Sequence, residues 1–85
     1  MIGLIIPDIS NPYYAGMARG MMDEALRFGC NAMISNTDQM CSQELSAIQS
    51  MSEYNVSGLI LAGGNNTKPE SQDLLKRCRV PFVAV

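Results

Sequence analysis

The 85-residue sequence contains no histidine, which excludes histidine as a catalytic base or a metal ligand. It also lacks GxGxxG and GxxxxGK[ST], the glycine-rich patterns that usually cradle phosphates. Six lysines and arginines against eight acidic residues give a net charge of −2, so there is no basic field to hold DNA or RNA. These absences argue against a histidine-dependent enzyme, a nucleotide-phosphate site and a direct nucleic-acid binder.

Cysteine is scarce and follows no known spacing. Cys30, Cys41 and Cys78 are odd in number and show no CxxC pattern, which favours reduced thiols in the cytoplasm over a secreted disulfide scaffold. No positively charged segment precedes the first apolar run, so no signal peptide is predicted. No apolar run approaches the roughly 20 residues that span a bilayer. We expect a cytoplasmic protein with no membrane partner, metal or cofactor.

Short apolar runs alternate with longer amphipathic ones along the chain, which predicts strands separated by helices. The predicted strands are IGLII (2–6), NAMIS (31–35), VSGLILA (56–62) and PFVAV (81–85). The order β-α-β-α-β-α-β predicts right-handed crossovers and one doubly wound parallel sheet of the α/β class.

The residues at the ends of the amphipathic runs suit helix boundaries. Asn11 is a good N-cap, Pro12 suits the first helical position, and Gly29 suits a left-handed C-cap. Thr67 and Glu70 form a capping-box pattern before the third helix. The residues predicted to face inward are Tyr14, Ala18, Met21, Met22 and Ala25 in the first helix, and Cys41, Leu45, Ile48 and Ser52, flanked by Ala47 and Met51, in the second.

The winding of the sheet predicts where a ligand would bind. Both common orders of doubly wound sheets place the first strand beside the third or fourth, with the winding reversed next to it. In the order 2-1-3-4 the first helix covers one face and the other helices cover the opposite face. The loops after the first and third strands, residues 7–12 and 62–66, then open a crevice at the carboxyl ends of the strands.

Catalytic alternatives find little support in these loops. A phosphoacceptor domain needs clustered acids, but only Asp8 follows the first strand, and the third ends in Ala62-Gly63-Gly64. A flavin site needs a hydroxyl-rich loop, for which Ser10 alone is thin support. Asp8 and Asp38 remain a conceivable acid–base pair, although acids at strand ends are commonly turn or cap residues. We predict that the chain is not an enzyme.

The segments IGLIIPDISNPYY, NTD after the second strand, VSGLILA and VPFVAV resemble the start of the effector-binding core of the LacI/GalR family of bacterial transcription regulators. Periplasmic sugar-binding proteins look similar over the same span, essentially all 85 residues. The resemblance implies a periplasmic-binding-protein-like type I fold, in which two lobes close on a small effector, often a sugar or nucleobase, and shift the affinity for DNA.

On this resemblance, residues 1–85 are the first lobe only, a partial effector-binding domain. The helix-turn-helix domain and the second lobe are expected to be absent, so DNA would be bound only through the missing N-terminal domain. A small enzyme and a periplasmic sugar-binding protein of a transport system remain the alternatives.

The resemblance also implies which residues contact the effector. They are Asn11, Tyr13 and Tyr14, with Asp8 and Ser10 nearby, and Gly63, Gly64 and Asn65 in the loop after the third strand. An aromatic face would stack on the apolar face of a sugar or base, while polar neighbours fix its orientation.

Each of these residues also has a purely structural interpretation. Asn11 is equally suited to capping alone, Asp8 to an Asx-turn, and the glycines to a tight turn. Tyr14 shares the apolar stripe and is as easily a core residue, whereas Tyr13 lies off the stripe and is the preferred ligand contact.

Two further expectations come from the family. Its first helix lies near the subunit interface, which makes Met17, Gly20 and Met21 candidate dimer contacts in a homo-oligomer. Relatives start the second helix with an acid–proline cap, whereas Met40-Cys41 stands here, so this helix is predicted to fray or to begin at Ser42.

Overall fold

The computed structural model of the protein describes residues 1–63 and 68–85. Its elements are β1 (Ile2–Ile6), α1 (Pro12–Arg27), β2 (Ala32–Asn36), α2 (Cys41–Glu53), β3 (Gly58–Leu61), α3 (Pro69–Cys78) and β4 (Phe82–Ala84). The predicted alternation of strands and helices is confirmed. The bounds differ slightly, because β2 lies one residue later than predicted and β3 and β4 are shorter at both ends.

The four strands form one parallel sheet in the order β2-β1-β3-β4. Ile2 of β1 lies opposite Ala32 of β2 on one side and opposite Gly58 of β3 on the other. Leu59 of β3 lies opposite Phe82 of β4. The predicted doubly wound sheet and its order 2-1-3-4 are therefore confirmed, with β1 as an interior strand.

Alternate residues of β1 divide the core into two layers. Ile5 belongs to the layer beneath α2 and α3, whereas Leu4 and Ile6 belong to the layer beneath α1. Because a parallel strand covered on both faces has no solvent-facing position, β1 is apolar throughout. The other buried members are Ala47, Ile48, Met51, Val56, Leu59, Leu61 and Leu75 beneath α2 and α3, and Ala18 and Ala62 beneath α1.

The ends of α1 are those predicted. Asn11 is the N-cap, and its Oδ1 accepts a hydrogen bond from the backbone N–H of Tyr13 at 2.9 Å. Pro12 occupies the first helical position, where its missing N–H leaves no intrahelical bond unmade. Gly29 follows the C-cap with a φ of 73°, a left-handed conformation that favours glycine.

The inward faces of the first two helices differ in part from the prediction. Met22 of α1 is 45% exposed, whereas Tyr14, Met17 and Met21 pack against the core. The inward face of α2 is rotated from the predicted stripe, since Cys41, Leu45 and Ser52 are only partly buried. Its buried residues are Glu44, Ala47, Ile48 and Met51.

A serine of α3 explains why a glutamate lies on the inward face of α2. The Ser71 hydroxyl donates a hydrogen bond to Glu44 Oε1 at 2.7 Å. Glu44 is 4% exposed and Ser71 is 0% exposed. Because a buried carboxylate without a partner is costly, this bond makes Glu44 tolerable and joins the two helices.

The described N-cap residues of α2 and α3 make no side-chain cap bond. α2 starts at Cys41 after Met40, not at Ser42, and Met40 makes no side-chain cap bond. α3 starts at Pro69 after Lys68, which makes none either. Thr67 of the predicted capping box lies outside the described residues, and the N-cap at Lys68 places Glu70 second in the helix instead of third. The predicted capping register is therefore wrong by one residue.

Candidate functional site

The carboxyl ends of β1, β2 and β3 lie at one edge of the sheet, because the strands are parallel and in register. The turn 7–11 follows β1, the turn 37–40 follows β2, and Ala62 and Gly63 follow β3. α1 covers one face of the sheet, and α2 and α3 cover the other. The helices that follow β1 and β3 therefore diverge at this edge, where open α/β sheets bind ligands.

Local hydrogen bonds shape the turn after β1. Asp8 Oδ1 accepts hydrogen bonds from the backbone N–H of Ser10 at 3.0 Å and from its hydroxyl at 2.6 Å. The Asn11 N–H donates to the Asp8 carbonyl at 3.1 Å. Asp8 thus has the Asx-turn role, and Asn11 has the capping role. Ser10 and Asn11 are exposed, and Asp8 is partly buried.

The two tyrosines at the start of α1 have different surroundings. Tyr14 is partly buried and packs against the layer of Leu4 and Ile6. Tyr13 is 65% exposed, and its ring contacts the ring of Tyr14 edge to face, with centroids 5.0 Å apart. Tyr13 therefore has the ring surface that is available for stacking on a small molecule.

Gly63 brings the chain after β3 close to Tyr14 and Pro7. It has a φ of 72°, and a β-carbon built on it would lie 2.7 Å from the Tyr14 hydroxyl oxygen and 2.9 Å from Pro7 Cγ. The turn after β1 and the end of β3 are thus in direct contact. Gly64 and Asn65, the other two residues predicted in this loop, lie outside the described residues.

Two residues at the end of β2, Asn36 and Thr37, belong to the same edge and were not among the predicted contacts. Asn36 Oδ1 accepts a hydrogen bond from the Ile9 N–H at 2.9 Å, and Asn36 Nδ2 donates to Asp38 Oδ1 at 2.7 Å. Thr37 is buried, and its N–H donates to the Ile6 carbonyl at 2.9 Å. The polar run NTD at the end of an apolar strand was the available signal for both.

The catalytic alternative gains no support from these contacts. Asp8 is hydrogen-bonded to Ser10, and Asp38 to Asn36, as expected of turn residues. In residues 1–63 and 68–85 no three histidine, cysteine, aspartate or glutamate side chains come together as metal ligands. Within the same ranges no helix has the length and apolar character needed to cross a membrane.

Ser10, Asn11 and Tyr13 are exposed side chains of the candidate site, and we call the surface that they form the ligand wall. Hollows of about 290 and 340 Å³ lie elsewhere, toward the amino ends of the strands and along the second half of α1, with Ile2 and Ile60 lining both. A small-molecule site normally encloses most of its ligand. Among the described residues, neither of these two hollows is lined by Ser10, Asn11 or Tyr13.

The candidate dimer contacts occupy two environments on α1. Met17 and Met21 are partly buried against the core, whereas Gly20 is exposed with no atom near the position of a β-carbon. The exposed apolar side chains of this region are Met22 and Leu26 of α1 and Phe28 after it.

Comparisons with known proteins agree with this architecture. Catabolite control protein A of Priestia megaterium is 42% identical over 82 residues, which are 96% of this chain and 24% of that protein. The crystal structure of the transcription regulator CcpA of Lactococcus lactis superposes with a TM-score of 0.90 at 26% identity, over 98% of this chain and 30% of that one.

A second solved structure is a periplasmic binding protein/LacI transcriptional regulator from Alkaliphilus metalliredigens QYMF complexed with D-xylulofuranose. It superposes with a TM-score of 0.82 at 28% identity, over 98% of this chain and 29% of that one. The chain thus spans 24–30% of the length of these three relatives. Residues 1–85 match the family described as periplasmic binding proteins and sugar binding domain of LacI family. With its full length matched and its fold shared, the chain belongs to this family.

Proposed function

We propose that residues 1–85 form the first lobe of the effector-binding domain of a LacI-family transcription regulator. The effector is a small polar molecule, a sugar in the first instance, held between this lobe and a second one. The proposal is supported by the exposed ring of Tyr13 at the edge where the helices after β1 and β3 diverge. It is also supported by the similarity to catabolite control protein A, which is 42% identical over 82 residues.

The chemistry of the wall suits a sugar. The face of Tyr13 stacks on the apolar face of a pyranose or furanose ring, and burial of that face favours binding. The exposed side chains of Ser10 and Asn11 lie beside it and offer hydrogen bonds to hydroxyl groups. The complex of the Alkaliphilus relative with D-xylulofuranose supports a sugar over a nucleobase.

The effector would act by shifting a conformational equilibrium. A ligand that contacts both lobes is bound more tightly by the closed state, so it raises the population of that state. Closure alters the spacing of the two DNA-binding domains of a cytoplasmic homodimer, and the ligand and DNA then influence each other's affinity reciprocally. DNA contact belongs to a separate domain, since this lobe has a net charge of −2.

The test uses the complete protein that carries these residues. It is titrated with D-glucose, D-ribose, D-xylulose and adenine in thermal-shift assays, and its affinity for DNA from upstream of its own gene is measured with and without each compound. We expect a sugar to raise the melting temperature and to change the affinity for DNA. Sugar binding without DNA binding would favour a periplasmic sugar-binding protein of a transport system, and binding of adenine alone would contradict a sugar effector.

A further inference from the structure

Asn36 connects two turns at the candidate site through one side chain. It is the last residue of β2 and is exposed, and both ends of its amide form hydrogen bonds. Oδ1 accepts from the backbone N–H of Ile9, in the turn after β1, at 2.9 Å. Nδ2 donates to Asp38 Oδ1, in the turn after β2, at 2.7 Å.

The bond to Ile9 differs in kind from the others in that turn. Asp8 bonds to Ser10 and Asn11, and Asn11 to Tyr13 and Ala15, so these bonds shape the turn and join it to α1, the next element along the chain. The bond from Ile9 to Asn36 joins residues that are 27 apart in the sequence, one in the turn after β1 and one at the end of β2. It attaches the middle of the turn to a neighbouring strand.

The turn after β2, which carries Asp38, is also held in place by hydrogen bonds. Thr37 is 2% exposed, and its N–H donates to the Ile6 carbonyl at 2.9 Å. The Met40 N–H donates to the Thr37 carbonyl at 3.0 Å and closes a turn in which Asp38 has a φ of 54°. That conformation, which aspartate tolerates better than most residues, places the carboxylate within reach of Asn36.

We infer that Asn36 is a positioning residue, which holds the turn carrying Ser10, Asn11 and Tyr13 against the end of β2. Asp38 orients the Asn36 amide so that its oxygen faces Ile9. The amide oxygen of Asn36 is already hydrogen-bonded to the Ile9 N–H. Asn36 therefore acts on the ligand wall through Ile9. The identity of the ligand at this wall rests on the proposed function, but the attachment of the turn to β2 does not.

Three variants remove different parts of the hydrogen bonding of the Asn36 amide. Asn36→Ala removes the acceptor and the donor. Asn36→Asp keeps an oxygen for the Ile9 N–H but turns the contact with Asp38 into repulsion between two carboxylates. Asp38→Ala leaves the Asn36 oxygen in place and removes only the group that orients it.

The experiment measures amide hydrogen exchange by NMR in the 85-residue chain without a ligand. Relative to the original chain, Asn36→Ala should accelerate exchange of the Ile9 amide about three- to tenfold, the effect of one lost hydrogen bond. Exchange at Ser10 and Asn11 should also rise, because the turn loses its hydrogen bond to β2. Asn36→Asp should restore protection at Ile9, and Asp38→Ala should give an intermediate rate.

The Leu59 amide, which donates to the Pro81 carbonyl inside the sheet at 2.8 Å, serves as the internal reference. If Asn36→Ala accelerates amide exchange at Leu59 as much as at Ile9, Asn36 stabilises the fold in general and the inference is wrong. It is also wrong if Ile9 is unaffected, or if Ser10 and Asn11 keep their original rates. None of these outcomes involves a sugar, so failure here and failure of the proposed function are separate results.

Discussion

The hydroxyl oxygen of Tyr14 lies 2.7 Å from the position that a β-carbon on Gly63 would occupy. Because Gly63 has no β-carbon, the start of α1 can pack closely against the end of β3. This close packing also explains the different roles of the adjacent tyrosines, since Tyr14 packs across the sheet edge while Tyr13 remains 65% exposed. The candidate ligand wall therefore has a packed base and an accessible surface.

Gly63→Ala is expected to lower the free energy of unfolding by about 1–3 kcal/mol, because it adds a left-handed non-glycine residue and a clash. Tyr14→Phe in the same chain should recover part of the loss by removing the hydroxyl oxygen. Urea denaturation measures both effects. As a control, Gly20→Ala, whose β-carbon would meet nothing within 4 Å, should gain about 0.5–1 kcal/mol. Equal effects at the two glycines would contradict the packing described.

Ser71→Ala is expected to cost about 1–3 kcal/mol, because the buried Glu44 carboxylate loses its donor. Replacing both residues, Glu44→Met with Ser71→Ala, should cost less than the sum of the single changes, since no polar group is then left unpaired. A double-mutant cycle by urea denaturation measures the coupling. Ser50→Ala on the exposed face of α2 is the control and should change stability by less than about 0.5 kcal/mol. If the effects of the two single changes are strictly additive, the buried hydrogen bond between Ser71 and Glu44 is refuted.

Arg79→Gly is expected to stabilise the chain. Arg79 is the C-cap of α3 with a φ of 57°, a conformation that costs a side-chain-bearing residue roughly 1–2 kcal/mol. The added freedom of glycine in the unfolded chain offsets part of this, leaving a gain of about 0.5–1 kcal/mol. Lys76→Gly inside α3 removes the same charge and should cost about 1 kcal/mol. Thermal unfolding measures both variants. A loss of stability for Arg79→Gly as well as for Lys76→Gly would contradict the expected gain at Arg79.

The outer edge of β4 is expected to make the 85-residue chain self-associate. Pro81 and Val85, the odd-numbered residues on either side of β4, bond toward β3: the Pro81 carbonyl accepts from Leu59, and the Val85 N–H donates to the Leu61 carbonyl. Phe82 and Ala84 therefore direct their N–H groups outward. Ala84→Pro should block edge pairing without breaking the bonds to β3.

Light scattering at increasing concentration measures this self-association. The original chain should exceed the monomer mass, and Ala84→Pro should approach it. A monomeric original chain, or an unchanged mass for the variant, would show that this edge does not mediate association.

Local chemistry was sufficient to predict most of the fold. The apolar runs, the Asn11 cap, Pro12 and Gly29 act within a few residues, so their effects are readable in sequence order. The strand order followed from the alternation of elements together with the common windings of such sheets.

Features that depend on distant partners were missed. Glu44 was not expected inside because its donor, Ser71, lies 27 residues away on α3. Asn36 was not expected at the site because its partner Ile9 is equally distant along the chain. The register of the α3 cap was wrong by one residue because the Thr67–Glu70 pattern competes with Pro69, which is well suited to the first helical position.

The most direct test of the account is calorimetric titration of the complete protein with the sugar that it binds, comparing Tyr13→Ala with Met22→Ala. Both side chains are exposed on α1, but Met22 lies away from the sheet edge. We expect Tyr13→Ala to weaken binding about tenfold, the effect of losing one stacking surface, with stability changed by less than about 0.5 kcal/mol. Met22→Ala should leave the affinity unchanged. Equal affinities for the original protein and Tyr13→Ala would contradict the assignment of this edge as the effector wall.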